Sequence, residues 1–305
     1  MSDVELTLVM CTRNRGAFLP AALEACARMT TARRWELIIV NNGSTDDTAT
    51  VIADFIAADV IDARTVFEAQ PGLARARNAG WRAARGEIVA FTDDDCYPAA
   101  DYIDELCRCM SERALDYIGG RVLLHDPQDL PVTIQLRDTP LDIAPRSFVP
   151  TGLIHGANMG AKREVLERVA GFDELLGAGT PFPSEDVEFL SLASAAGFTG
   201  GYDPRPTISH HHRRRTADQV GALRKSYDIG RGAYYMACIL DARRRHQALQ
   251  RWYWSALGNL TDLLRRPGGA VTTAREMRGA LGYWRAARRR RSSTPQPPRT
   301  NIATP

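Results

Sequence analysis

Three consecutive carboxylates, Asp93-Asp94-Asp95, stand directly after the apolar run EIVAFT at 87–92. Adjacent carboxylates repel one another, and a divalent cation relieves that repulsion. Oxygen donors favour Mg²⁺ or Mn²⁺, usually with phosphate oxygens completing the shell. The same residues also read as a solvated acidic loop or a helix-capping cluster. A second pair, Glu185-Asp186, follows Ser184 at the start of a helical pattern. Acidic side chains there serve as caps, and in a cleft one of them can act as a general base towards a hydroxyl. His210-His211-His212 end a strand pattern near 199–208; consecutive side chains cannot all face one site, so at most one or two can ligate a metal. Arg75 and Arg77 open a helical stretch in PGLARARNAG at 71–80. Cations conflict with a helix N-terminus, so an anionic ligand there is expected to relieve them. Two polar segments complete the set: VMCTRNR at 9–15 and NNGSTDDT at 41–48. The Asn41 amide can present a donor and an acceptor to a nucleobase edge, although Asn-Asn-Gly-Ser is also simply a good turn.

The elements that must position these residues alternate. Apolar strand patterns fall at 6–10, 35–40, 63–67 and 87–92, with helical patterns at 17–28, 44–57 and 73–84 between them. Ser44 or Thr45 is the expected cap of the second helix. Repeated β-α-β implies an α/β fold with a mostly parallel sheet flanked by helices. Ligands bind outside the carboxyl ends of the strands in such sheets, where the polar segments lie. Farther on come a strand at 117–124, a Pro-rich stretch at 126–150, a helix from 162 and another over 185–196. Arginine-rich helical stretches follow, broken at Pro267-Gly268-Gly269. The expected division is a catalytic domain at 1–212 (nucleotide-binding half 1–95, acceptor half 96–212), a helical extension at 213–291 and a disordered tail at 292–305.

In order along the chain, Cys11-Thr12-Arg13-Asn14-Arg15, LIIVNNGSTDDT, PGLARARNAG, EIVAFTDDDC, HGANMGAKREVLERVAGFDE and PSEDVEF resemble the motifs of family 2 glycosyltransferases of the GT-A fold. The resemblance covers about residues 4–212. It implies a Rossmann-like GT-A domain that moves a sugar from a nucleoside-diphosphate sugar to an acceptor hydroxyl with inversion, aided by Mn²⁺ or Mg²⁺. Thr12, Asn14 and Arg15 would line the nucleotide pocket, with Asn41 on the base and Arg77 facing the donor. Asp93, Asp94 and Asp95 would form the DxD motif, Asp95 on the metal and Asp93 nearer the ribose or sugar. Asp186, beside Glu185 in the ED motif, would be the base. Gly156–Gly160 would wall the donor sugar and acceptor, and His210 or His212 would complete the metal or pyrophosphate site. Family members commonly carry Asp where this chain has Asn41, which leaves uracil, thymine and guanine all open. Gln247, Gln250, Arg251 and Trp252 lack the QxxRW spacing of processive members, so a single-transfer enzyme is expected.

Composition bounds the rest. The chain has 305 residues with net charge +3, and that small number conceals an asymmetry. Residues 1–212 carry 19 basic against 31 acidic side chains, net −12, and residues 213–305 carry 20 against 5, net +15. Arginine interleaved with Tyr234, Tyr235, Trp252, Trp254, Tyr283 and Trp284 suits an anionic membrane surface; a helical extension that neutralises the acidic domain is the alternative. No nucleic-acid motif accompanies the charge, and no nucleic-acid partner is expected. Six scattered cysteines without CxxC spacing read as reduced core residues. With no signal-peptide pattern and no membrane span, the expected location is cytoplasmic, with peripheral attachment to the inner face of the membrane as the variant. The acceptor is expected to be a sugar, lipid-linked or small molecule, in glycan, glycolipid or glycosylated-metabolite synthesis. The absence of GxGxxG after the first strand excludes a dinucleotide dehydrogenase. A non-catalytic sugar-nucleotide binder or scaffold, or a sugar-phosphate nucleotidyltransferase, is the competing reading.

Overall fold

Every residue of the first strand is buried, which is why LTLVMCT shows no polar alternation. A computed structural model of the chain describes residues 3–261 and 269–293. The elements run β1 (Leu6–Thr12), α1 (Leu19–Ala27), β2 (Trp35–Asn41), α2 (Thr48–Ala57), β3 (Ala63–Phe67), α3 (Leu73–Ala83) and β4 (Ile88–Asp93). There follow β5 (Cys96–Pro98), α4 (Tyr102–Glu112), β6 (Tyr117–Leu124), β7 (Leu141–Ile143), β8 (Met159–Lys162), α5 (Arg163–Val169), α6 (Glu185–Ala195) and β9 (Gly200–His210). The last described elements are α7 (Ala217–Leu240), α8 (Arg245–Thr261) and α9 (Gly269–Ser293).

Among the described residues the strands form one sheet in the order β3-β2-β1-β4-β8-β6-β9-β5, with β7 paired to β9. Strands β3, β2, β1 and β4 are parallel, as the β-α-β repeat requires. Beyond β4 the sheet is mixed: β8 runs antiparallel to β4 and β6, β5 and β7 run antiparallel to β9, and β6 pairs with β9 in parallel. The short strands β5, β7 and β8 carry too little pattern to be read from sequence, whereas α4 does carry a helical one, with Tyr102, Ile103, Leu106, Cys107 and Met110 buried on one face.

Alternate residues of the central strands serve two cores. Leu6, Leu8, Met10, Leu37 and Ile39 pack with α1, α2 and α4, while Val9, Ile38 and Val40 pack with α3, α5 and α6. Each such side chain contributes about 1.5–3 kcal/mol on burial. Helix α3 lies so close that a Cβ at Gly80 would stand 2.4 Å from Val9 Cγ1. The expected cap of α2 is corrected. The helix starts at Thr48 behind Asp47, because Ser44 and Thr45 are engaged across the loop. The Asn14 N–H donates to Ser44 Oγ (3.0 Å), and the Thr45 N–H donates to Asn14 Oδ1 (2.8 Å).

The basic helices dock on the acidic part of the chain. Ala233, Ala237, Tyr283 and Ala287 pack against Leu176, and Tyr234, Tyr235, Cys238 and Ala248 against Val187 of α6. Ion pairs join the two charge regions: Arg215 with Asp126 and Asp129, Arg244 with Glu188, and Arg290 with Asp173. The aromatic residues expected to interleave with arginine on the surface divide. Tyr234, Tyr235 and Tyr283 are buried, Trp252 donates its indole N–H to Glu276, and Trp254 is exposed. Helix α9 continues through Ser293, so residues 292 and 293 of the expected tail are helical; Arg265, Arg266, Pro267, Gly268 and 294–305 lie outside the described residues. All six thiols are free and buried. Among the described residues no helix is long and apolar enough to cross a membrane.

Glu188 supplies a test of this docking. Burial raises its carboxyl from 4.5 to about 7, against the pull of Arg244 and with Asp173 and Asp241 adding to the rise. A raised acid stabilises the fold below its unfolded value and loses that contribution as pH rises to the folded one. From pH 4.5 to about 7 the wild-type chain should therefore lose stability relative to Glu188→Gln, by up to about 3 kcal/mol. Urea unfolding of both proteins across that range reads the difference; parallel curves would place the carboxyl elsewhere.

Candidate active site

Strand register gathers the separated motifs. Thr12 stands opposite Asn41 and Cys11 opposite Asp93, so the first, second and fourth strands end together at one sheet edge. Antiparallel pairing of Cys96 with His210 brings the β9 end to the residue after Asp95. Pairing of Phe91 with Met159 brings the loop before β8 to the end of β4. The start of α6, with Glu185 and Asp186, reaches the same place through Arg77.

Arg77 is fully buried and ties three segments together. Its Nη1 donates to Glu185 Oε1 at 2.7 Å, and its Nη2 donates to Asp93 Oδ1 at 3.2 Å and to the Gly156 carbonyl at 3.0 Å. A Cβ on residue 156 would lie 2.8 Å from that guanidinium, so the seat requires glycine. The cation conflict expected at the start of α3 is thus settled by the protein's own carboxylates. Arg75 pairs likewise with Glu174 at 2.7 Å. Burial raises the Glu185 carboxyl, with Arg77 opposing and Asp186 adding to the rise.

Asp186 is half-buried at the opening of α6. The Gly156 N–H donates to its Oδ2 at 2.9 Å, and the Val187 N–H donates to its Oδ1 at 2.8 Å. Ser184, the residue before the pair, has φ 126°, a conformation costly for a residue with a Cβ and typical of positions held for function.

The three aspartates have different partners. Asp93 takes Arg77. Asp94 accepts from Thr12 Oγ1 at 2.6 Å and pairs with Arg15 Nε at 3.2 Å; burial, with Asp95 and Asp93 adding, raises it to about 6 against these contacts. Asp95 faces His210 Nε2 at 3.4 Å and Arg15 Nη2 at 3.4 Å. Burial opposes its ionisation, but His210, Arg15 and Arg214 together outweigh burial and lower its pKa. His210 moves the other way: burial lowers it, Asp95 more than compensates, and the net direction is up.

The histidines alternate as strand geometry demands, and their tautomers differ. His210 Nδ1 lies 3.2 Å from the Thr133 carbonyl, so Nδ1 donates there and Nε2 is the nitrogen that faces Asp95. His212 Nδ1 instead accepts the Arg214 N–H at 3.0 Å, which leaves the proton on Nε2. His212 stands beside His210, ring centroids 5.2 Å apart, and lies outside the cluster of donor atoms that His210 forms with Asp95 and Cys96. His211 faces Tyr97 and His125. Among the described residues, donor atoms of Asp95, Cys96 and His210 lie within 4.8 Å of one another. Burial and the nearby carboxylates keep Cys96 protonated, far above the usual thiol value, so Asp95 and His210 are the usable donors. An oxygen and an imidazole nitrogen fit Mn²⁺ or Mg²⁺, so the residues present suit the implied ion.

Asn41 is buried and its Oδ1 accepts the Ser44 N–H at 3.0 Å. Its amide oxygen is thereby engaged within its own loop. Two residues escape sequence reading. His155 stands between Asp186 and His210; burial lowers its pKa, Asp186 pulls it up and His210 pushes it down. Tyr227 of α7 has its phenol raised by burial and then by Asp186. The expected wall at Gly156–Gly160 stops one residue short of His155, and a histidine immediately before a loop glycine was the available signal. Tyr227 offered none.

The family model for glycosyl transferase family 2 matches residues 7–170. The chain is 25% identical over 266 residues to the glycosyltransferase AglE of Haloferax volcanii, covering 82% of each protein. It is 23% identical over 299 residues to the pre-mycofactocin glycosyltransferase of Mycobacterium tuberculosis, covering 92% of this chain and 58% of that one. A mannosyltransferase of Pyrobaculum calidifontis, solved with GDP-Man and Mn²⁺, superposes with a TM-score of 0.63 at 19% identity over 93% of this chain and 90% of that one. Residues 1–349 of S. aureus TarS, solved with UDP-GlcNAc, superpose with a TM-score of 0.62 at 12% identity over 94% and 92%. The parallel half-sheet, with its motif-bearing strand ends on one edge, is thus the GT-A fold of these structures. Matched over more than half its length by the family model, the chain belongs to glycosyl transferase family 2 and is a glycosyltransferase.

Proposed function

We propose that the protein transfers a sugar from a nucleoside-diphosphate sugar to an acceptor hydroxyl, with inversion at the anomeric carbon. The observation that carries this reading is the Asp186 carboxylate, fixed by the Gly156 N–H and joined through Arg77 to the aspartates that end β4. Asp186 takes the acceptor proton while the acceptor oxygen attacks the anomeric carbon. The bond to the diphosphate then breaks with its electron pair on the departing phosphate. Inversion follows from one displacement by a base opposite the leaving group. Glu185, the adjacent carboxylate, is bound to Arg77 and is not placed to be a nucleophile for a double displacement. Asp95 and His210 are the residues that would hold a divalent cation, whose charge, when bound, offsets that of the leaving diphosphate. Thr12, Asn14 and Arg15 line the donor side, and the Asn41 amide faces the base. His155 and Tyr227 border Asp186 where an acceptor enters. The structural neighbours, solved with UDP-GlcNAc and with GDP-Man and Mn²⁺, support a nucleotide-sugar donor and a metal.

Thermal unfolding with UDP, GDP and dTDP, with and without Mn²⁺, tests the donor site. One nucleotide should stabilise the protein in a metal-dependent way, by about 3 kcal/mol at 100-fold excess over Kd. Asp95→Asn and His210→Ala should each abolish the metal dependence. No response to any nucleotide would retire the reading.

We further propose that the acceptor is presented at an anionic bilayer, on the face of α8 where Leu249, Tyr253 and Trp254 are exposed beside Arg245 and Arg251. Aromatic rings with flanking arginines suit such an interface. The protein should float with phosphatidylglycerol vesicles and not with phosphatidylcholine, and Tyr253→Ala/Trp254→Ala should weaken binding about tenfold or more. Equal behaviour with both vesicles would remove the membrane from the proposal.

A further inference from the structure

A cavity of about 580 Å³ lies behind the catalytic edge, between α6, the end of α7, α9 and the segment 169–174. Two charged side chains on its wall are deeply buried and incompletely bonded. Glu188 is 3% exposed and Arg244 7%. They meet at 3.0 Å through Oε1 and Nη2, while Glu188 Oε2 and Arg244 Nη1 have no hydrogen-bond partner. Buried charged atoms without partners are costly, and each such atom calls for an occupant.

The remaining wall defines that occupant. Asp173 is engaged by Tyr283 Oη at 2.6 Å and Arg290 at 2.7 Å, Glu174 by Arg75, and Asp241 by Arg243 and Arg244. Acidic and basic groups on the wall nearly balance, so the cavity has little net charge with which to hold an ion. A ligand must accept from Arg244 and donate to Glu188; hydroxyl groups do both. Phe172, Tyr283, Leu192 and Leu240 supply apolar surface for the C–H face of a ring. The volume lies within the ordinary range of small-molecule sites.

We propose that this cavity is a second, non-catalytic binding site for an uncharged saccharide. It stands on its own wall and does not rest on the assignment of Asp186 or of the donor site. Glu188 lies two residues beyond Asp186 on α6, and Asn78, also on the wall, follows Arg77. The occupant therefore touches both elements that set the catalytic groups. A free sugar and a sugar unit of a longer glycan share this chemistry.

Saturation-transfer NMR on the full chain provides the test, with methyl α-glucoside, methyl α-mannoside and N-acetylglucosamine as probes and glucuronate and glucosamine as charged comparators. At least one neutral sugar should bind in the presence of saturating nucleoside diphosphate and Mn²⁺, about tenfold or more tightly than either charged one. Glu188→Gln, which keeps an oxygen for Arg244 and replaces the free acceptor by an N–H to which a hydroxyl can turn its oxygen, should retain binding, and Leu240→Trp, which fills the cavity, should abolish it. Stronger binding of the matching disaccharide would identify a unit of a longer glycan; equal binding would identify the free sugar. A crystal of the wild-type chain soaked with the best probe should show it on Glu188 and Arg244, which keeps the idea testable if Leu240→Trp does not fold. Displacement of every probe by the nucleotide, no binding at all, or ordered water alone on those two atoms would overturn it.

Discussion

Asp186→Asn should reduce kcat for sugar transfer by roughly 10²–10⁴-fold while leaving nucleotide binding and thermal stability near wild type. The asparagine keeps an oxygen for the Gly156 N–H, so the loop before β8 stays in place; the Val187 N–H loses its acceptor, and the capacity to take a proton is removed. The neighbouring carboxylate is the natural control. Glu185→Gln strikes a group bonded to Arg77 in the interior, and its main effect should be on unfolding. Steady-state kinetics with equilibrium unfolding of both variants separates the two roles. Wild-type turnover by Asp186→Asn would move the base to another residue.

Arg77→Met should destabilise the protein by about 3–5 kcal/mol, because it strands Glu185 in the interior and frees Asp93. The loss should depend on pH in a definite direction. Glu185 is already raised by burial despite Arg77, and without the arginine it rises further. A raised acid supports the fold below its unfolded value and loses that contribution as pH climbs through the folded one. The variant should therefore be least impaired at mildly acid pH and most impaired above neutrality. Replacing both partners, Arg77→Met with Glu185→Leu, should recover part of the loss, since Glu185 no longer leaves a buried charge unpaired and only Asp93 still lacks its partner. Urea unfolding at two pH values reads all three expectations; additive single effects would show that the pair is not coupled.

Much of the donor edge was legible because its strands are buried on both faces, which writes them as continuous apolar runs ending in polar loops. The aspartates, Thr12, Arg15 and Asn41 follow from that pattern, since parallel register aligns the strand ends. What sequence could not supply was the partner of each charge. The helix-start arginines signalled a conflict correctly, but its resolution lies 16 and 108 residues away in Asp93 and Glu185. The distinction between His210 and His212 depends on which backbone group meets each Nδ1, and no residue-type pattern encodes that. His155 and Tyr227 come within the electrostatic influence of Asp186 from a loop and a helix whose placement is set by tertiary packing. The same holds for the arginine-rich helices, whose aromatic residues largely went inward.

The hold of Asp173 by Tyr283 and Arg290 spans 110 and 117 residues, and this bears on how the enzyme comes into being. The strands that carry the donor motifs lie within the first 93 residues and pair mainly with near neighbours. They can assemble while the chain is still emerging from the ribosome. The segment leading into α6 gains its clasp only once residue 290 has been made. A nascent chain thus aligns the ends of its first four strands well before the segment leading into α6 is clasped, and the last step of that assembly is the arrival of its last described helix.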